Sequence, residues 1–205
     1  MEGEQDERED EHPRELSPAT VETLRTFMAA MMALVTAARA PTCAPRARPE
    51  RSTRVLGVAC HAPAPLRAYF ARALSAPLEA RSTLPEVALT IRWGAAPACR
   101  TETLVFRLAW APQRAHAAQA LADMQDALRR AQTLGTALPA PAAGPPCAVA
   151  VTARTAARPA GSWARAAAQG WDADTAAHTR VVAVKSVTVD NVRVHVMVVV
   201  TTGEG

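Results

Sequence analysis

The sequence predicts an α+β fold, with three helices packed on a mostly antiparallel sheet. Three stretches repeat apolar residues at helical spacing, and several shorter runs alternate as strands do. The clearest strand signal is the last one. Between Arg180 and Val200 lie 11 valines, the chain's single lysine (Lys185) and an Asp190-Asn191 break. β-Branched side chains suit a pleated surface and lose rotamer freedom in a helix, so this stretch reads as a terminal strand pair.

Each element follows in order. Ser17-Pro18 opens the first helix, with Ser17 as N-cap, Pro18 at the first helical position and Glu22 in the early turns. Val21, Leu24, Met28, Met31 and Val35 form its apolar stripe, which Phe27 and Leu34 widen. Alanine fills much of the rest, so this helix is expected at the centre, ending near Arg39 before Pro41. Residues 40–54 carry three prolines and four arginines and read as a loop. Val55 to Ala59 reads as one short strand, with Cys60 a buried thiol at its end. Pro63 or Pro65 starts a second helix with Leu66, Tyr69, Phe70, Ala73, Leu74 and Leu78 on one broad face. Val87, Leu89 and Ile91 alternate, as do Leu104, Phe106, Leu108 and Trp110; the Gly94–Arg100 loop joins them as a hairpin. Gln113 to Leu138 is the third helix, with Ala117, Leu121, Met124, Leu128 and Ala131 expected inward. Pro139 to Pro146 breaks the pattern, and Cys147, Val149 and Val151 mark another strand. Residues 155–179 read as irregular, with Trp163 and Trp171 as isolated anchors.

The 205 residues, 49% of them apolar, suit one domain over residues 16–205 behind an acidic tail, residues 1–15, expected to be disordered. That tail holds eight acids and two arginines; the remainder holds 21 basic and 11 acidic residues, a net of +10. The arginines are dispersed and aromatics make up only 4%, so no base-stacking platform is visible and no direct sequence-specific nucleic-acid binding is expected. The tail has no apolar core of a secretory signal, and the run from Phe27 to Val35 is short for a bilayer. A soluble, intracellular chain without membrane contact is expected. Four scattered cysteines (Cys43, Cys60, Cys99, Cys147) include no CxxC, and neighbours such as Cys60-His61 rarely ligate one ion, so no metal or other cofactor is expected.

Catalytic signatures are missing as well. There is no phosphate-binding glycine loop, no GxSxG and no HExxH, and the nine glycines do not cluster. His12, His61, His116, His178 and His195 stand apart from one another, and the carboxylates show no paired acid/base spacing. No catalytic residue is assigned, and a non-enzyme is expected.

Four segments carry a resemblance. They are the passage Val58-Ala-Cys-His-Ala-Pro-Ala-Pro-Leu-Arg-Ala-Tyr69; the pair Glu86-Val-Ala-Leu-Thr-Ile-Arg and Thr103-Leu-Val-Phe-Arg-Leu; Gly144-Pro-Pro-Cys147 with the strand to Arg154; and Arg180-Val-Val-Ala-Val-Lys-Ser-Val-Thr-Val-Asp190. Together and in order they resemble the HORMA-domain family over about residues 17–200, and within it the accessory-subunit branch of DNA polymerase zeta. Arg39-Ala-Pro41 departs from the family, which often has a tyrosine-proline pair there.

The resemblance implies a HORMA fold with a core of about residues 17–154 and a C-terminal safety belt of about 155–205. In the family that belt closes over a short partner peptide added to the sheet as a strand. By position, Tyr69 and Trp171 would line the peptide channel. Val181, His195 and Met197 would form a second-partner surface, although the family carries a glutamine and a tyrosine at the last two sites. Arg129 and Arg130 would mark a homodimer surface. The implied partners are the catalytic subunit of DNA polymerase zeta, the Rev-one scaffold polymerase and an AAA+ remodelling ATPase, in the nucleus. A spindle-checkpoint or meiotic HORMA adaptor is the alternative within the same fold.

Overall fold

A computed structural model describes residues 15–43, 53–79, 84–94, 99–138, 148–155 and 178–202. Helix α1 (Pro18–Arg39) starts where Ser17 Oγ accepts the Thr20 N–H at 3.1 Å, satisfying one of the unpaired amides of the first turn. From Phe27 to Thr36 every residue is buried. By length and composition α1 could cross a bilayer, because alanines extend the apolar window beyond Phe27–Val35; the expectation of too short a run is corrected. In this fold the helix is instead sheathed by the other helices and the sheet.

The short strand expected at residues 55–59 is a hairpin. β1 (Thr53–Val55) pairs with β2 (Val58–Cys60) around Leu56 and Gly57, both at positive φ. The turn is held from outside: Gln125 Nε2 donates to the Leu56 carbonyl at 3.0 Å, and a Cβ on Gly57 would stand 3.0 Å from that same nitrogen. Cys60 is buried at the end of β2, as expected, and burial pushes its thiol pKa up, with Arg67 pulling the other way.

The second helix is two helices, so the described residues hold four rather than three. α2 (Ala64–Ala73) stops at Leu74, and α3 (Ser75–Glu79) follows. Pro77 explains the break, since it has no N–H to continue the ladder onto Ala73. The next helix, α4 (Ala117–Ala137), begins four residues later than the sequence suggests. Backbone bonds from Ala111 N–H to Asn191 O (2.7 Å) and Ala115 N–H to Asp190 O (2.8 Å) hold the approach outside the helix. The inward stripe of α4 is Ala120, Met124, Ala127, Leu128, Ala131 and Leu134, whereas Ala117 and Leu121 are exposed, contrary to expectation.

Five antiparallel strands form the main sheet: β3 (Pro85–Trp93), β4 (Arg100–Trp110), β5 (Ala148–Thr155), β6 (His178–Val189) and β7 (Val192–Thr202), in the order β5-β3-β4-β7-β6. Alternate residues of one face meet the helices. Val87, Leu89 and Ile91 align with Phe106, Leu104 and Glu102, and these in turn with Val196, Val198 and Val200. All are buried. The β3–β4 hairpin and the terminal β6–β7 hairpin stand as the alternation predicts, with the second turning at Asp190-Asn191.

Candidate functional site

The two edges of the sheet are built differently. β6, on one edge, carries a register shift between Ala183 and Lys185. Helix α4 packs against it. Lys185 Nζ lies 3.0 Å from Asp126 and 3.3 Å from Asp123, and Arg130 Nη1 donates to the Val184 carbonyl at 3.2 Å. Hydrogen bonding and the facing charges raise the Lys185 pKa and lower that of Asp126. A bulge, a lysine and a covered carbonyl are the devices that keep an edge from pairing with another chain.

β5, on the opposite edge, has none of them. Its sequence Ala-Val-Ala-Val-Thr-Ala-Arg-Thr contains no lysine and no proline. It pairs with β3 in unbroken register from Pro85↔Thr155 to Arg92↔Ala148. Among the described residues no strand lies on its outer side, and Ala148, Ala150, Thr152 and Ala153 are exposed. An edge of this length in unbroken register, with a single charge at Arg154 near its end, is a template for one more strand.

The chain returns from that edge to the far one. Thr155 ends β5 at the Glu86–Arg107 end of the sheet, and His178 begins β6 opposite Thr202, at the Arg100 end. At the usual strand spacing these points are roughly 19 Å apart across the sheet and about 27 Å along it. The intervening residues 156–177, and with them Trp163, Trp171 and most of the expected belt crossing, lie outside the described residues.

The terminal hairpin is fastened at its turn. Asp190, at φ 56°, accepts from Thr20 Oγ1 at 3.2 Å and pairs with Arg114 Nε. Thr20 is itself within 2.8 Å of Ser17 Oγ, so the N-cap of α1, the loop before α4 and the hairpin turn are tied together.

Beneath the sheet lies an ionic cluster not anticipated from sequence. Arg39, in the last turn of α1, is 1% exposed and grips Glu102 through two nitrogens, Nε to Oε2 at 2.7 Å; Glu102, 2% exposed, also accepts from Arg100 Nη2 at 2.6 Å. The signal was present: Glu102 falls in phase with Leu104, Phe106 and Leu108, a charge on the apolar side of a strand.

The expected site residues fall in separate places. Tyr69 is 59% exposed on α2, its ring edge-on to Phe70 at 5.3 Å; it is not turned inward with Leu66 and Phe70. α2 packs on α1, which leaves this flank uncovered. Val181, His195 and Met197 do share one face, the side of the β6–β7 hairpin away from the helices. Val181 is exposed and pairs with Val199, while His195 and Met197 are half-buried. His195 Nδ1 sits 2.8 Å from Ser186 Oγ. Burial, with Arg193 and Arg107 nearby, pushes the His195 pKa down. Arg129 and Arg130 are exposed on α4, and Arg130 is committed to Asp126 and Val184. The described residues include no group of three or more potential metal ligands.

The fold is the HORMA fold. A chain of the mitotic checkpoint complex superposes with a TM-score of 0.65 at 12% identity, covering 88% of this chain and 98% of that one. C. elegans HTP-2 bound to the HIM-3 closure motif gives 0.54 at 12% identity, covering 88% and 87%. C. elegans HTP-1 bound to HTP-3 motif-1 gives 0.52 at 10% identity, covering 87% of each. The sequence itself matches no family model and no curated protein.

Proposed function

We propose that this protein is a non-catalytic adaptor that captures a short peptide as a sixth strand on the outer edge of β5, under a C-terminal safety belt of about residues 155–205. One observation carries the reading: among the described residues β5 has no strand on its outer side and no register break, in a sheet whose other edge is blocked by Lys185, Arg130 and a bulge. The placement of Thr155 and His178 at opposite corners supports it, because the linking residues have to pass from the open edge to the hairpin. Each backbone hydrogen bond to the new strand contributes roughly 0.5–1.5 kcal/mol, and a closing segment acts mainly by slowing dissociation.

Among HORMA adaptors, the sequence segments around Cys60-His61 and Gly144–Cys147 favour the polymerase type. The partner peptide then belongs to the catalytic subunit of DNA polymerase zeta, the Val181–His195–Met197 face meets the Rev-one scaffold, and the protein acts in translesion synthesis in the nucleus. A remodelling AAA+ ATPase would reopen the closing segment, and α4 with Arg129 would serve self-association. The test is competitive capture by the full chain of biotinylated peptides from the polymerase catalytic subunit and from checkpoint and meiotic proteins. Preferential, slowly dissociating capture of the polymerase peptide supports the reading. Preference for a checkpoint or meiotic peptide moves the protein to that pathway, and no capture of any of them defeats the adaptor role.

A further inference from the structure

The two faces of β5 differ in a way that selects side chains. Val149 and Val151 face the helix layer beside Ile91 and Leu89 and are only partly buried at the margin of the core. On the other face stand Ala148, Ala150 and Thr152, all exposed, with Thr90 and Ala88 of β3 beside the last two. At its centre that face is a strip of small side chains, Ala150 and Thr152 with Thr90 and a buried Ala88 beside them, bounded by Arg92 next to Ala148 and by the Glu86–Arg154 pair of positions.

Resting on the reading that β5 takes an extended peptide, we propose that the captured segment alternates two residue classes. Mid-sized apolar residues, β-branched ones above all, face the helix layer; large flat side chains, chiefly aromatic, lie over the Ala150 strip. Strand residues alternate between faces, so one register fixes both sets. A β-branched residue opposite Val149 or Val151 completes the burial of a half-covered valine and fits the pleat. Opposite Ala150 a small residue would bury almost nothing. Directly opposed residues stand about 5 Å apart and diagonal neighbours about 7–8 Å, within reach of an aromatic ring. One ring can therefore cover Ala150 together with Ala148 or Thr152, and aromatic side chains bury about 150–250 Å² each.

The experiment is a selection from a random peptide display library on the full chain and on the Ala150→Trp variant. Ala150 is exposed, so the variant keeps the fold, which a thermal melt verifies. The wild type is expected to enrich segments of about six residues with the stated alternation. An enriched aromatic peptide should bind Ala150→Trp at least about tenfold more weakly, whereas its alanine-substituted version should bind both proteins alike. Enriched peptides without alternation, or an unchanged preference in Ala150→Trp, overturn the inference while leaving capture intact. If nothing is enriched on the wild type, the capture reading falls and this inference falls with it.

Discussion

Replacing Glu102 by alanine is the sharpest test of how the core is wired. The carboxylate is 2% exposed and accepts from Arg39, itself 1% exposed, and from Arg100, 15% exposed. Removing it takes the bidentate partner from a guanidinium held beneath the sheet, and breaking such a buried pair from one side costs roughly 3–5 kcal/mol. For a chain of this size each kcal/mol is about 2–4 °C, so the melting temperature should fall by about 10 °C. The double variant Arg39→Met, Glu102→Leu removes both charges and keeps apolar volume, and should recover to within about 1 kcal/mol of the parent. Urea and thermal unfolding of the parent, Glu102→Ala and the double variant supply the comparison. If Glu102→Ala costs less than about 1 kcal/mol, or the double variant is no better than the single one, the pair does not hold α1 to the sheet as argued.

Further predictions concern the hairpin and its edge. Asp190→Ala loses the Thr20 bond and puts alanine at φ 56°, which should cost about 1–2 kcal/mol, and Asp190→Gly less because glycine accepts that conformation; chemical denaturation ranks them. His195 has a folded pKa below its ordinary 6.5, so its contribution to stability is present above that value and is lost as pH falls through the folded pKa. His195→Gln should flatten the stability–pH curve there. Arg130→Ala with Lys185→Val uncovers the Val184 carbonyl and removes the edge charge. Sedimentation should then show concentration-dependent association beyond that of the parent, and a distribution unchanged from the parent at every concentration would contradict the blocked-edge argument.

Local chemistry made α1, the β3–β4 hairpin and the terminal hairpin legible. Ser17-Pro18 marks a helix start, and the valines with Asp190-Asn191 mark two strands and a turn. What escaped depended on distant partners. Leu56 has no intrinsic preference for positive φ; Gln125, far along the chain, holds that turn. Tyr69 shares the helical spacing of Leu66 and Phe70 yet points outward, because among the described residues α2 packs chiefly on α1, the side that Leu66 and Phe70 face. Strict alternation places His195 and Met197 on one face, but adding Val181 required the β6–β7 register across the bulge at Ala183. That no described strand lies outside β5 follows from strand order, which is set by pairings between segments remote in sequence.

Hydrogen exchange of the full chain, with and without a captured peptide, tests the central claim most directly. Peptide binding should slow exchange of alternate amides between Ala148 and Thr155, those pointing away from β3, while the β6 edge stays unchanged. Protection confined to β6, α2 or α4, with β5 exchanging as before, would contradict strand addition at this edge.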